Sequence, residues 1–126
     1  MIEKGIEFEL ETEVTEEKTA LYMKSGDVLV FATPCMIALM ENTANELLKK
    51  YIAEDEISVG TFIKTSHVKA TPLKMKVKCI CKVTDVDGRM VSFEVKAFDE
   101  KGLIGEGTHT RCILNKEKFL NKAYGN

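Results

Sequence analysis

Val28-Leu-Val-Phe-Ala-Thr-Pro-Cys-Met-Ile-Ala-Leu-Met-Glu-Asn-Thr-Ala-Asn-Glu-Leu-Leu48 is an apolar stretch with one carboxylate, Glu41, set into its middle. Thr33 is a favoured helix N-cap. Pro34 suits the first helical position because its missing N–H would be unpaired there anyway. Cys35 to Met40 then places six apolar residues in a row, so a helix begun here has no polar face and must be wrapped by other structure. Glu41 follows directly, and a carboxylate in such surroundings calls for a reason. The pattern predicts a helix from about Pro34 to Ala53, whose later half turns amphipathic, with Leu47, Leu48 and Tyr51 against Lys49, Lys50 and Glu54.

The flanking sequence supplies the wrapping. Before the helix, Gly5 to Val14 alternates Ile6, Phe8 and Leu10 with Glu7, Glu9 and Glu11, the pattern of a half-buried strand with an acidic outer face. A turn at Thr15–Lys18, a short piece at Thr19–Met23 and a Ser25-Gly26-Asp27 break lead into the helix. After it the chain is nearly all strand. Glu56 to Ala70 is rich in β-branched residues and ends toward Pro72. Leu73 to Asp85 alternates apolar residues with Lys74, Lys76, Lys78 and Lys82, a lysine row read as a solvated strand face with a lesser claim on the phosphates of a ligand. Asp87-Gly88 signals a hairpin into Met90–Asp99, and Lys101-Gly102 a second turn into Leu103–Leu114. Lys116 to Lys122 reads as a short terminal helix. An antiparallel sheet whose apolar face curls around the helix satisfies both halves of this order, giving an α+β hot-dog fold over one domain, residues 1–126. The competing architecture lays the helix flat on the sheet of a small ligand-binding domain.

Composition narrows the function classes. With 18 basic and 20 acidic residues and net charge −2, no phosphate-binding surface for nucleic acid is indicated. No apolar run approaches the roughly 18 residues of a membrane span, and Met-Ile-Glu-Lys-Gly-Ile-Glu lacks signal-peptide order, so a cytoplasmic protein is expected. Cys35, Cys79, Cys81 and Cys112 fall at apolar positions without zinc-knuckle spacing, and are expected as reduced thiols with no metal.

Three blocks, Phe31-Ala-Thr-Pro-Cys-Met-Ile-Ala-Leu-Met-Glu41, Gly60-Thr-Phe-Ile-Lys-Thr-Ser-His-Val-Lys-Ala-Thr-Pro72 and Gly105-Glu-Gly-Thr-His-Thr-Arg111, resemble the signature blocks of the fluoroacetyl-CoA thioesterase family, in order and at compatible spacing. The resemblance implies a hot-dog homodimer that hydrolyses acyl-CoA thioesters with Thr33, Glu41 and His67. It also implies that Gly60 lines the acyl pocket, that Arg111 contacts the region of CoA, and that no cofactor is needed beyond the CoA of the substrate.

Residue chemistry points the same way. Thioester hydrolysis needs an attacking oxygen and donors for the oxyanion, but little help for a thiolate leaving group. A buried carboxylate and a His can supply base or nucleophile, and the helix start at Thr33–Cys35 can offer N–H groups. Bland readings stand beside these: Glu41 as a structural or dimer-seam carboxylate, Thr33 as cap alone, and His67 and His109 as structural hydrogen-bonding groups. A non-catalytic acyl-thioester-binding module and a dehydratase are the alternative functions. Thr33 and Glu41 are eight positions apart, or about 12 Å along a helix and about 80° around it, which favours sites assembled from two subunits.

One segment departs from the family. The fluoroacetate-specific enzyme carries an aromatic-rich lid before its helix, whereas Leu21-Tyr-Met-Lys-Ser-Gly-Asp27 is shorter and contains no phenylalanine. We predict comparable kcat/KM for acetyl-CoA and fluoroacetyl-CoA; a preference of several thousandfold for the fluorinated substrate in a thiol-release assay would contradict this.

Overall fold

The computed structural model describes residues 1–125 of the chain. Five strands, β1 (Glu7–Glu13), β2 (Glu56–Thr65), β3 (Lys76–Asp87), β4 (Met90–Asp99) and β5 (Gly102–Asn115), form one antiparallel sheet in the order β1-β3-β4-β5-β2. The short α1 (Ala20–Met23) precedes the 17-residue α2 (Thr33–Lys49), and α3 (Lys116–Ala123) closes the chain. Helix α2 packs against β1, β2, β3 and β4 together. This is the hot-dog arrangement, a curled sheet holding one long helix.

Alternation along the strands builds the core. Val77, Cys79, Cys81 and Val83 of β3 and Val91, Phe93, Val95 and Ala97 of β4 are buried against Met36, Leu39, Met40, Leu47 and Leu48 of α2. Burial pushes the Cys79 and Cys81 thiols up to about 11 and about 12, so both remain protonated core groups. The Cys35 and Cys112 thiols are half-buried, and all four cysteines are free. On the outer face, Lys76 and Lys78 lie 3.8 and 3.7 Å from Glu11 and Glu9 of the neighbouring strand, so part of the lysine row is offset by the acidic row of β1.

Several boundaries differ from the sequence reading, each for a local reason. Ala32, not Thr33, is the N-cap of α2, and it has no side-chain cap; Thr33 is the first helical residue, its hydroxyl turned elsewhere. The helix stops at Lys49 because the chain turns back, with the Ala53 N–H donating to Glu56 Oε1 and the Asp55 carbonyl accepting from Lys116 N–H. Lys74 sits at φ +73°, a left-handed conformation that delays β3 to Lys76. Strand β2 ends at Thr65, and residues 66–70 continue beside β5 by two bonds, Ser66 N–H to Glu106 O and Val68 N–H to Ile104 O.

That segment is anchored by Asp99, whose side chain is 1% exposed. Asp99 accepts from Lys69 Nζ at 2.9 and 3.2 Å, from Thr71 Oγ1 at 2.9 Å and from the Lys101 N–H at 2.8 Å. Burial pushes its pKa up, but these donors and the Lys69 charge outweigh burial and hold the carboxyl below its ordinary value. A depressed carboxylate stabilises the fold above its unfolded pKa, about 4, and loses that contribution as pH falls through the folded value. Asp99→Ala is expected to cost about 3 kcal/mol in urea unfolding at pH 7, since it strands the buried Thr71 hydroxyl and the Lys69 ammonium. The gap to wild type should narrow below about pH 4. An equal gap at pH 7 and pH 3 would argue against the carboxylate network.

Candidate active site

Two groups of polar side chains stand on one side of α2. Thr33, Ile37, Glu41 and Asn45 recur every fourth residue, so they share a helix face that looks toward β2 and the segment after it.

At the helix start, Thr33 Oγ1 lies 2.7 Å from His67 Nδ1. Both line a cavity of about 280 Å³ with Ala20, Val30 and Lys69. Burial lowers the His67 pKa, partly countered by the backbone of Lys69, so the imidazole is neutral at pH 7. Its Nε2 is buried without a hydrogen-bond partner among the described residues. The contact joins residues 34 positions apart, and glycines make it possible. A Cβ on Gly107 would collide with the Lys64 carbonyl, and one on Gly105 with the Ser66 carbonyl and with Met36 Sδ at 2.8 Å. Gly105-Glu-Gly107 thus lets the chain leading to His67 lie directly on β5. At the helix start the Cys35 and Met36 N–H groups both donate to Ala32 O at 3.0 Å, and Pro34 has none. Of the Thr33–Cys35 donors expected to be free, only the Thr33 N–H remains.

Two turns along the helix, Glu41 meets a different group. An ideal Cβ on Gly60 would lie 2.9 Å from Glu41 Oε2, 3.2 Å from His109 Cε1 and 3.5 Å from Arg111 Nη1, so glycine makes room for all three. Arg111 is buried, donating through Nε to Ser58 Oγ at 2.8 Å and through Nη2 to Ser58 O at 2.9 Å. His109 Nδ1 lies 2.8 Å from the Phe62 carbonyl, which only accepts, so the ring proton sits there and Nε2 accepts from Arg111 Nη1 at 3.1 Å. Burial lowers the His109 pKa, which keeps this arrangement neutral. Burial also lowers the Arg111 pKa, while the charge of Glu41 raises it.

The chain therefore pairs Thr33 with His67 and sets Glu41 against Gly60 with Arg111 nearby, but does not join the two groups. Ser58 and Asn45, linked at 3.0 Å, support Arg111 and escaped the sequence reading. The four-residue stripe through Asn45 was the available signal. His109 takes the structural hydrogen bonds expected of it.

The curled sheet, the enclosed helix and a Thr–His pair at its start define a hot-dog protein of the thioesterase superfamily. Residues 14–117 match the fluoroacetyl-CoA-specific thioesterase family, and the chain belongs to that family. A fluoroacetyl-CoA thioesterase of Streptantibioticus cattleyicolor is 39% identical over 93 residues, 74% of this chain and 67% of that protein. A solved fluoroacetyl-CoA thioesterase superposes with TM-score 0.95 at 31% identity, covering 100% of this chain and 98% of that one. A variant of that enzyme solved with acetyl-CoA gives TM-score 0.94 at 31% identity over 98% of each chain.

Gly60→Ala should keep the fold, because the atom it meets first is the movable end of Glu41, at a cost of about 1 kcal/mol. Displacing that carboxylate by an ångström should lower kcat about a hundredfold. Unchanged turnover would show that the position of Glu41 does not matter.

Proposed function

We propose that the chain hydrolyses a small acyl-CoA thioester to the free acid and CoA, with Thr33, His67 and Glu41 carrying the reaction. The 2.7 Å contact between the Thr33 hydroxyl and the neutral His67 imidazole carries this reading, because it is the pairing of nucleophile and base that acyl transfer requires. His67 Nδ1 takes the Thr33 proton as Oγ1 attacks the thioester carbonyl. The collapsing tetrahedral adduct releases CoA thiolate, which the imidazolium protonates. Water, deprotonated with the help of Glu41, then cleaves the acyl-threonine ester. The reaction needs no cofactor or metal. Acetyl-CoA bound to a variant of a family member supports the substrate class. Arg111, buried and engaged by Ser58 and His109, contributes its charge near Glu41 in this reading rather than a direct contact with CoA.

The protein acts as a homodimer in this reading. Strand β2 is a sheet edge, and its exposed Gly60, Thr61 and Phe62, the last 53% exposed, leave backbone groups and an aromatic ring uncovered. Antiparallel pairing of two β2 edges about a two-fold axis between Ile63 and Lys64 sets Gly60 across from the partner subunit's His67. Glu41, beneath Gly60, then completes the partner's site. No helix of the described residues is long and apolar enough to cross a membrane, and the free thiols fit the reducing cytoplasm.

Glu41→Gln should abolish steady-state turnover while leaving fold and dimer intact, and acetyl-CoA should leave an acetyl group on Thr33 visible by mass spectrometry. Near-native hydrolysis would remove Glu41 from the mechanism. Mixing inactive Thr33→Val and Glu41→Gln chains should restore about a quarter of wild-type activity, from one working site in half of the dimers. Sites contained in one chain would stay dead.

A further inference from the structure

Sharing Phe31 with the cavity that holds Thr33 and His67 is a second, larger one of about 500 Å³, within the range of ligand pockets. Leu10 of β1 and Cys35, Ala38 and Leu39 of α2 give it an apolar wall, and Glu11, Thr12, Lys18 and Asn42 form its polar rim. None of Thr33, His67 and Glu41 lines it. Phe31 is the one residue that lines both cavities. It is 1% exposed and among the largest fully buried side chains. Its backbone is tied on both sides: the Phe31 N–H donates to Thr71 O at 2.8 Å, and the Ala32 N–H to Lys18 O at 2.9 Å. The ring is therefore a fixed partition two residues before Thr33, not a lid.

We infer that Phe31 sets the upper length of the acyl chain, by closing an apolar compartment that would otherwise extend the site. The inference rests on the acyl-CoA thioesterase reading and names its substrate class as short acyl groups. The polar cavity of about 280 Å³ takes the reacting carbonyl and a few carbons. A straight chain of about eight carbons has nowhere to go until the ring is removed, after which its tail lies along Leu10, Ala38 and Leu39.

The test measures kcat/KM for acetyl-, butyryl-, hexanoyl- and octanoyl-CoA with wild type, Phe31→Leu, Phe31→Ala and Phe31→Ala combined with Ala38→Phe. Wild type should fall off beyond butyryl-CoA, and Phe31→Ala should raise the octanoyl-to-acetyl ratio at least about tenfold. Refilling the larger cavity with Ala38→Phe should return the ratio toward wild type. If Phe31→Ala fails to fold, Phe31→Leu must move the ratio in the same direction by about threefold. Binding of the non-hydrolysable thioethers S-ethyl-CoA and S-octyl-CoA to the same variants gives the same comparison without turnover, so the partition is tested even if no acyl-CoA is hydrolysed. Inactivity of wild type on every acyl-CoA would reject the thioesterase reading alone. A folded Phe31 variant with the wild-type length profile in both rate and binding would overturn the partition, as would a gain that survives Ala38→Phe.

Discussion

Everything in this molecule depends on enclosing α2 in the curl of the sheet. Met36, Leu39, Met40, Leu47 and Leu48 are essentially buried, each contributing on the order of 1.5–3 kcal/mol by leaving water. Because strands cover the helix from several sides, the remaining open face is narrow. Any polar chemistry on the helix must then fall on that face or beyond its ends, and Thr33, Glu41 and Asn45 do so at spacings of eight and four residues. The same enclosure fixes their separation, since a rigid helix holds Thr33 and Glu41 about 12 Å apart.

Close approach of backbones is the second constraint, and glycine answers it twice. Gly105 and Gly107 let the segment before His67 settle on β5, which carries the imidazole to Thr33. Gly60 opens space above Glu41, His109 and Arg111 at the sheet edge. Asp99 completes the first arrangement by holding Lys69 and Thr71 just beyond His67, and Thr71 in turn accepts the Phe31 N–H beside the helix start. Stability and site geometry are coupled through these few contacts.

Electrostatics divides the two groups. His67 and His109 are both kept neutral chiefly by burial, yet their ring nitrogens serve different ends. In His109 both nitrogens are satisfied, one by Phe62 and one by Arg111, leaving the ring no capacity for proton transfer. In His67 one nitrogen meets a hydroxyl on the cavity wall, the arrangement suited to a base.

The apolar run before Glu41, the alternation in β3 and β4 and the Asp87-Gly88 turn were enough to read a helix wrapped by an antiparallel sheet, because periodicity reports which side of an element is buried. The three blocks around Thr33, His67 and Arg111 were enough to read the family, as the match over residues 14–117 bears out. Periodicity says nothing of which buried sides meet. That Thr33 contacts His67, that Arg111 is held by Ser58 and His109 across the β2–β5 pair, and that Phe31 stands between two cavities follow from strand register and backbone clearance. The misplaced cap shows the difference most simply. Thr33 has the composition of an N-cap, but a histidine brought alongside from 34 residues away claims its hydroxyl, and the helix starts one residue earlier on Ala32. Local preference is worth about 1 kcal/mol at such a position, and only the folded chain determines which partner is near enough to override it.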